Sequence, residues 1–239
     1  MKSFNTKKYI NPPQYSSYRS YRSYIINNCT CKCSYCSIRE SESVGTTFEI
    51  DHFRPKKLFP KLENDIYNLR LACRKCNLFK SDFWIDASLG CNRDCNNCNN
   101  KICTKNIERF FDSMNEDVSL IMAMDNNFLL QPINNSFVSK YTIDKLRLNR
   151  KNLIDLRKNR FIIKELINQI EDLIKYCERQ KSLNDEYYER IKKLRDKNKS
   201  GKKDLKLELC LLHCEKHKKQ IIMSIATYDK FRQTLFELS

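Results

Sequence analysis

The segments CSYC (33–36), TTFEIDHFRPK (46–56) and NDIYNLRLACRKCNLFKSD (64–82) decide how this chain folds. Cys33-Ser-Tyr-Cys36 and Cys73-Arg-Lys-Cys76 are two C-x2-C pairs a few tens of residues apart. That spacing lets two tight turns offer four thiolates tetrahedrally to one zinc ion, and a closed four-thiolate site is structural because it keeps no open position. Between the pairs, Thr46 to His52 alternates like a strand, and Pro55 forces the chain out of it. Residues 67–72 read as the returning strand and Cys76 to Lys80 as the start of a helix. The expected unit is strand, loop, strand, helix, with the hairpin tied to the helix by zinc.

The chain has 239 residues, enough for one well-cored domain or two small ones. Its 45 Lys+Arg against 29 Asp+Glu leave a net charge of +16, the footprint of a protein that meets a polyanion. Nucleic acid leads among such partners, although an acidic protein or a membrane surface would suit the same charge. The thirteen cysteines are odd in number and clustered, and the start MKSFNTKKYINPPQ has neither an apolar core nor a cleavage site. Together these point to metal-bound thiolates in a reducing compartment, hence to the cytoplasm, rather than to a secreted disulfide scaffold. Apolar runs such as FIIKELI (161–167) are too short and too charged to span a bilayer.

Working outward from the motif, residues 1–28 form a Tyr/Ser/Arg-rich lead-in expected to pack on the core, and 29–90 carry the motif itself. Residues 91–139 hold a second cysteine cluster, Cys91, Cys95, Cys98 and Cys103, and a hairpin about Asn126 and Asn127. The cluster lies in an Asn-rich stretch with too few apolar residues to fold unaided, so a second zinc is expected to order it. Cys29 and Cys31 could pair with that cluster instead, which leaves one or two zinc sites. From 140 to 239 apolar residues recur at three- and four-residue spacing, broken once by KNKSGKKD (197–204), which reads as two helices joined by a basic tip. Cys210, His213, Cys214 and His217 share one side of the last helix. One helix cannot wrap four ligands round an ion, so that side is expected to pack, as is Cys177. The fold class expected is α+β: a small zinc-bound ββα core, a second cysteine cluster and a mostly helical C-terminal region.

In order and spacing, CSYC, Asp51-His52, Asn68 and CRKCNLFK resemble the HNH, or ββα-metal, endonuclease family. The resemblance implies a phosphodiester hydrolase in which His52 is the general base, Asp51 and Asn77 hold a catalytic divalent cation, and Asn68 restrains the loop that bears the histidine. Lys80 would face the phosphate, with Arg54 and Lys56 near the nucleic-acid backbone. Many relatives carry a third histidine where this chain has Asn77. The chemistry agrees with these roles. Imidazole takes a proton near neutral pH, and carboxylate and carboxamide oxygens suit Mg²⁺ or Mn²⁺. One steric point needs resolving, because Asp51 and His52 as strand neighbours should face opposite ways, so the chain is expected to bend at this pair, with Arg54-Pro55 as the cause.

A second, looser likeness runs from Tyr141 to Arg157, YTIDKLRLNRKNLIDLR, and is similar to the segment after the nuclease core in the HNH subunit of Septu-type and retron-linked anti-phage systems. It implies a defence nuclease that works with an ABC-type ATPase; simple packing helices would look alike. DNA is the expected substrate. RNA or tRNA is the alternative, as is a zinc-dependent nucleic-acid-binding subunit without turnover. Because one such site cuts one strand, a double-strand break would need a dimer or two successive nicks, so a homo-oligomer or a partner assembly is a further expectation.

Overall fold

A computed structural model describes residues 9, 11–28, 31–43, 47–84, 108–197 and 204–238. Strand β1 (Glu49–His52) pairs antiparallel with β2 (Leu69–Ala72), with Asp51 opposite Arg70 and His52 opposite Leu69. The ladder extends one step through Phe53 N–H to the Asn68 carbonyl (2.8 Å), and the bend falls at Phe53 and Arg54. Helix α2 (Arg74–Lys80) starts straight after β2, with Cys73 in extended conformation as its N-cap. The first cysteine pair forms a tight knuckle, closed by Cys33 N–H to Ile38 O (2.9 Å) and Ser37 N–H to Cys33 O (2.9 Å). It docks on the sheet through Ser34 N–H to Leu71 O (2.8 Å). The ββα order read from the sequence is therefore present, with shorter strands than the alternation suggested.

The lead-in packs on this core through helix α1 (Arg22–Asn28), which buries Ile25, while Tyr9 and Tyr21 fill the space beside it. A second hairpin, β3 (Met122–Met124) with β4 (Leu130–Pro132), turns about Asp125. The Asp125 carboxylate accepts from the N–H groups of Asn127 (2.9 Å) and Leu129 (2.9 Å), the usual device for closing a turn with a short acid. Helix α3 (Phe137–Lys145) follows, capped by Ser136. Leu69, Leu71, Phe111, Met122, Leu130, Leu146, Leu148 and Leu153 close one hydrophobic core. Inside it the Arg70 guanidinium donates to Asp112 at 2.6 Å, an ion pair that locks β2 to the irregular 108–117 segment.

The chain divides into two compact units, Met1–Leu156 and Arg157–Ser239. The second is helical: the body of α4 (Lys151–Lys197) and α5 (Leu205–Leu238), packed through Ile167, Ile170, Ile174 and Leu235 and again through Ile191, Leu211 and Cys214. Of the side expected to pack, Cys214 is buried among these apolar side chains while Cys210, His213 and His217 are exposed, and Cys177 is half-buried rather than buried, because the packed face of α5 runs through Leu207, Leu211, Cys214 and Ile221 instead. Together the units make an α+β fold. None of its helices is long and apolar enough to cross a membrane among the described residues.

Candidate active site

The Sγ atoms of Cys33, Cys36, Cys73 and Cys76 all lie within 4.8 Å of one another, and those of Cys36 and Cys73 are 3.7 Å apart. Four ligands at about 2.3 Å from a tetrahedral zinc ion stand roughly 3.8 Å apart, so the donor set fits that ion. All four cysteines are buried, and they form the one cluster of cysteine, histidine and acidic groups of this kind among the described residues. A zinc tetrathiolate carries two net negative charges. The Arg150 guanidinium, on the segment preceding α4 and 3.7 Å from the Cys76 sulfur, would offset part of that charge with zinc bound. Sequence reasoning missed this role, and a lone arginine seventy-four positions from its partner gives no local signal. The cluster Cys91, Cys95, Cys98 and Cys103 lies outside the described residues, as does Cys29; Cys31 turns its thiol to the Ile26 carbonyl (3.9 Å).

At the end of β1, Asp51 and His52 both line a cleft of about 300 Å³, with Lys56, Asn77, Ser81 and Asp82 on its other sides. His52 is braced at Nε2 by the Glu63 carbonyl (2.9 Å) and meets the edge-on ring of Tyr18 at 4.8 Å. With Nε2 donating to that carbonyl, Nδ1 carries the free lone pair. Burial holds the imidazole pKa below its ordinary value, so the ring is neutral at neutral pH and able to accept a proton. The loop after His52 is pinned from inside. Asn68 Oδ1 accepts from Arg54 N–H (2.8 Å), and its Nδ2 donates to the carbonyls of Arg54 (3.0 Å) and Leu62 (3.3 Å). Asn68→Ala removes all three bonds at a buried position and is expected to cost about 2–3 kcal/mol, read from urea unfolding, with a matching loss of any activity that needs this loop.

Asp51 is held on both oxygens. Oδ1 accepts from Lys80 Nζ at 3.0 Å, and Oδ2 accepts from the Tyr35 hydroxyl. Tyr35 is fully buried and stands between two zinc ligands in Cys33-x2-Cys36, so one side chain links the metal knuckle to the carboxylate of the cleft. Burial, then the Asp51 charge and hydrogen bond, push its phenol pKa well above the ordinary range, so it stays a donor. Tyr35→Phe is expected to leave the fold intact at a cost of about 1 kcal/mol, while a divalent cation in the cleft binds more weakly, as titration calorimetry would register.

Lys80 corrects the reading from sequence. Its ammonium is wholly buried, bonded to Asp51 and, at 2.7 Å, to the His52 carbonyl, so it does not face a phosphate. The physical reason is that a carboxylate only 6 % exposed needs a cationic partner, and the end of α2 supplies one. Lys80→Met, which orphans that charge, is expected to cost about 3 kcal/mol in unfolding free energy. Arg54 stands 5.9 Å from the ring centres of both Phe59 and Trp84 rather than in the cleft wall. Lys56 is the lysine of the cleft, with Glu63 Oε1 at 3.2 Å and the Tyr18 ring at 5.1 Å.

Asn77 donates through Nδ2 to Glu49 Oε2 at 2.6 Å, which leaves its amide oxygen unengaged by that bond. Glu49 escaped sequence reasoning. Its position two residues before Asp51 on a strand puts both acids on one face, and that spacing could have flagged it. The donor set Asp51, Asn77 and Glu49 is all hard oxygen, which fits Mg²⁺ or Mn²⁺; each Asp51 oxygen accepts one bond and keeps a lone pair.

Residues 33–83 match the family model for HNH endonuclease. The matched stretch, 51 of 239 residues, takes in both cysteine pairs, the β1–β2 hairpin and α2, and with them every residue that lines the cleft except Tyr18. No curated protein and no solved structure gave a significant match. The HNH segment supports nuclease activity, binding of a divalent metal and a nucleic-acid substrate, and its buried tetrathiol supports structural zinc.

Proposed function

We propose that this protein is a metal-dependent endonuclease that hydrolyses DNA phosphodiester bonds, with His52 as general base and zinc at Cys33, Cys36, Cys73 and Cys76 as a structural ion. One observation carries the reading. A neutral imidazole, fixed at Nε2 by the Glu63 carbonyl, shares a cleft of about 300 Å³ with Asp51 and Asn77. Nδ1 of His52 takes a proton from a water molecule as the water oxygen bonds to phosphorus; the bond from phosphorus to the 3′-oxygen breaks, and the leaving oxygen takes a proton from solvent. A Mg²⁺ or Mn²⁺ ion held by Asp51 and Asn77, with Glu49 beside them, supplies charge neutralisation at the phosphate. Asn68 keeps the histidine loop in register, and Lys56 attracts the backbone.

The net charge of +16 favours a polyanionic substrate without choosing its sugar. The likeness of residues 141–157 to the HNH subunit of Septu-type and retron-linked systems supports a role in anti-phage defence alongside an ABC-type ATPase. Supercoiled plasmid, single-stranded DNA and tRNA, each incubated with zinc-loaded protein and Mg²⁺ or Mn²⁺, test the substrate. Cation-dependent nicking of plasmid is the expected result. Cleavage confined to tRNA would replace DNA by RNA as the substrate, and binding of all three without cutting would overturn the enzyme reading.

A further inference from the structure

Helix α4 carries two apolar seams on a seven-residue repeat, offset by one residue and so by about 100° round the helix. One seam, through Ile163, Ile167, Ile170, Ile174 and Ile191, belongs to the clusters shared with α5. The other runs from Ile162 to Leu194 in steps of four and three: 162, 166, 169, 173, 176, 180, 183, 187, 190, 194. Seven of its ten positions are Ile, Leu or Tyr, and each of these seven is 38–59 % exposed. Scattered exposed leucines need no explanation. A continuous heptad stripe does, because the repeat itself is the signature of a helix packed against another helix.

We propose that this stripe is the interface between two copies of the chain, their α4 helices pairing antiparallel about a two-fold axis beside residue 178. The sequence of the stripe favours a second copy over a different partner because it is complementary to its own reverse. Paired outward from 178, the layers are Tyr176 with Gln180, Leu173 with Leu183, Gln169 with Tyr187, Leu166 with Arg190 and Ile162 with Leu194. Both glutamines meet a tyrosine hydroxyl, and two layers join aliphatic to aliphatic. The last polar residue, Arg190, meets Leu166, with the acid Glu165 next to it on the other copy. Every layer also sets an a position against a d position, which antiparallel pairing demands. Parallel pairing would instead stack Gln169, Gln180 and Arg190 each on itself, the arginine pair as like charges. An isologous contact of this kind closes after two chains.

The size suffices. A stripe of 33 residues is about 48 Å long and, at roughly 10 Å wide, would bury on the order of 1,000 Å² over both chains, the level at which specific interfaces begin. Two seams about 100° apart on one helix also match the geometry of a four-helix bundle, in which each helix touches two neighbours. Such a dimer holds two copies of the cleavage centre, and its existence does not depend on the chemistry assigned to that centre.

Sedimentation and light scattering of the full zinc-loaded chain test the interface. The expected mass is about twice the 28.6 kDa of one chain at tens of micromolar. Leu173→Glu with Leu183→Glu, both exposed, should raise the dimer dissociation constant at least a hundredfold with helicity and zinc content unchanged. Lys164→Glu, off the stripe, should have no effect. A photo-crosslinking residue at position 173 should capture the 183 region of the other copy. A monomeric wild type, a dimer that survives the double substitution, or capture of the 173 region itself would each overturn the proposal.

Discussion

Removing zinc from the tetrathiol is expected to unfold the first unit while most of the helical signal of α4 and α5 survives. Binding of zinc to a site that exists only in the folded chain contributes directly to folding, on the order of 10 kcal/mol for structural sites, and few domains have that much stability to spare. The effect spreads because of what the four sulfurs join. Cys33 and Cys36 hold the knuckle that docks on β2, and Cys73 and Cys76 begin α2. Without the ion, four buried thiols carry no tie strong enough to keep Tyr35 under Asp51 or Lys80 beneath β1. A strong chelator, or Cys73→Ser in place of it, should abolish near-ultraviolet dichroism from the aromatic core and bring down cleavage with it. Retained core signal in zinc-free protein would show that apolar packing alone sustains the unit.

Replacing His52 with alanine is expected to lower the cleavage rate by about 10²–10⁴-fold, the usual contribution of a positioned general base. The loss should fall on the chemical step. His52 is bonded to a backbone carbonyl and brushed by a tyrosine ring, neither of which depends on it for the course of the chain, so substrate affinity and zinc content should change little. Single-turnover rates on plasmid, set beside fluorescence anisotropy of a labelled duplex, separate the two quantities. A fall in affinity with an unchanged rate at saturation would assign His52 to binding instead.

Much of this site was legible in the sequence because its chemistry is local. Two C-x2-C pairs and a strand ending in Asp-His dictate a knuckle, a hairpin and a helix start with little freedom left. The steric puzzle of Asp51 beside His52 resolves at the strand end, where the chain bends at Phe53 and Arg54 and both side chains reach one cleft. What the sequence hid is long-range pairing. The family resemblance put Lys80 against a phosphate, yet a buried carboxylate 29 positions away captured it. Arg150 on Cys76, Tyr35 on Asp51 and Arg70 on Asp112 are contacts of the same kind, joining residues 74, 16 and 42 positions apart. Nothing periodic announces them. The heptad stripe of α4 is the opposite case, plain in the sequence but hidden there among the ordinary packing positions until the structure separates buried seam from exposed seam.

A Mn²⁺ titration of plasmid nicking, run on the wild-type chain and on His52→Ala at equal zinc content, tests the general-base role of the imidazole most directly. Nicking should rise with Mn²⁺ to a plateau in the wild type, and in the variant the plateau should collapse while the cation concentration at half-saturation stays the same, because Asp51 and Asn77 are untouched. Equal plateaus in the two proteins would mean that the imidazole takes no proton in the reaction, and the central claim would fall.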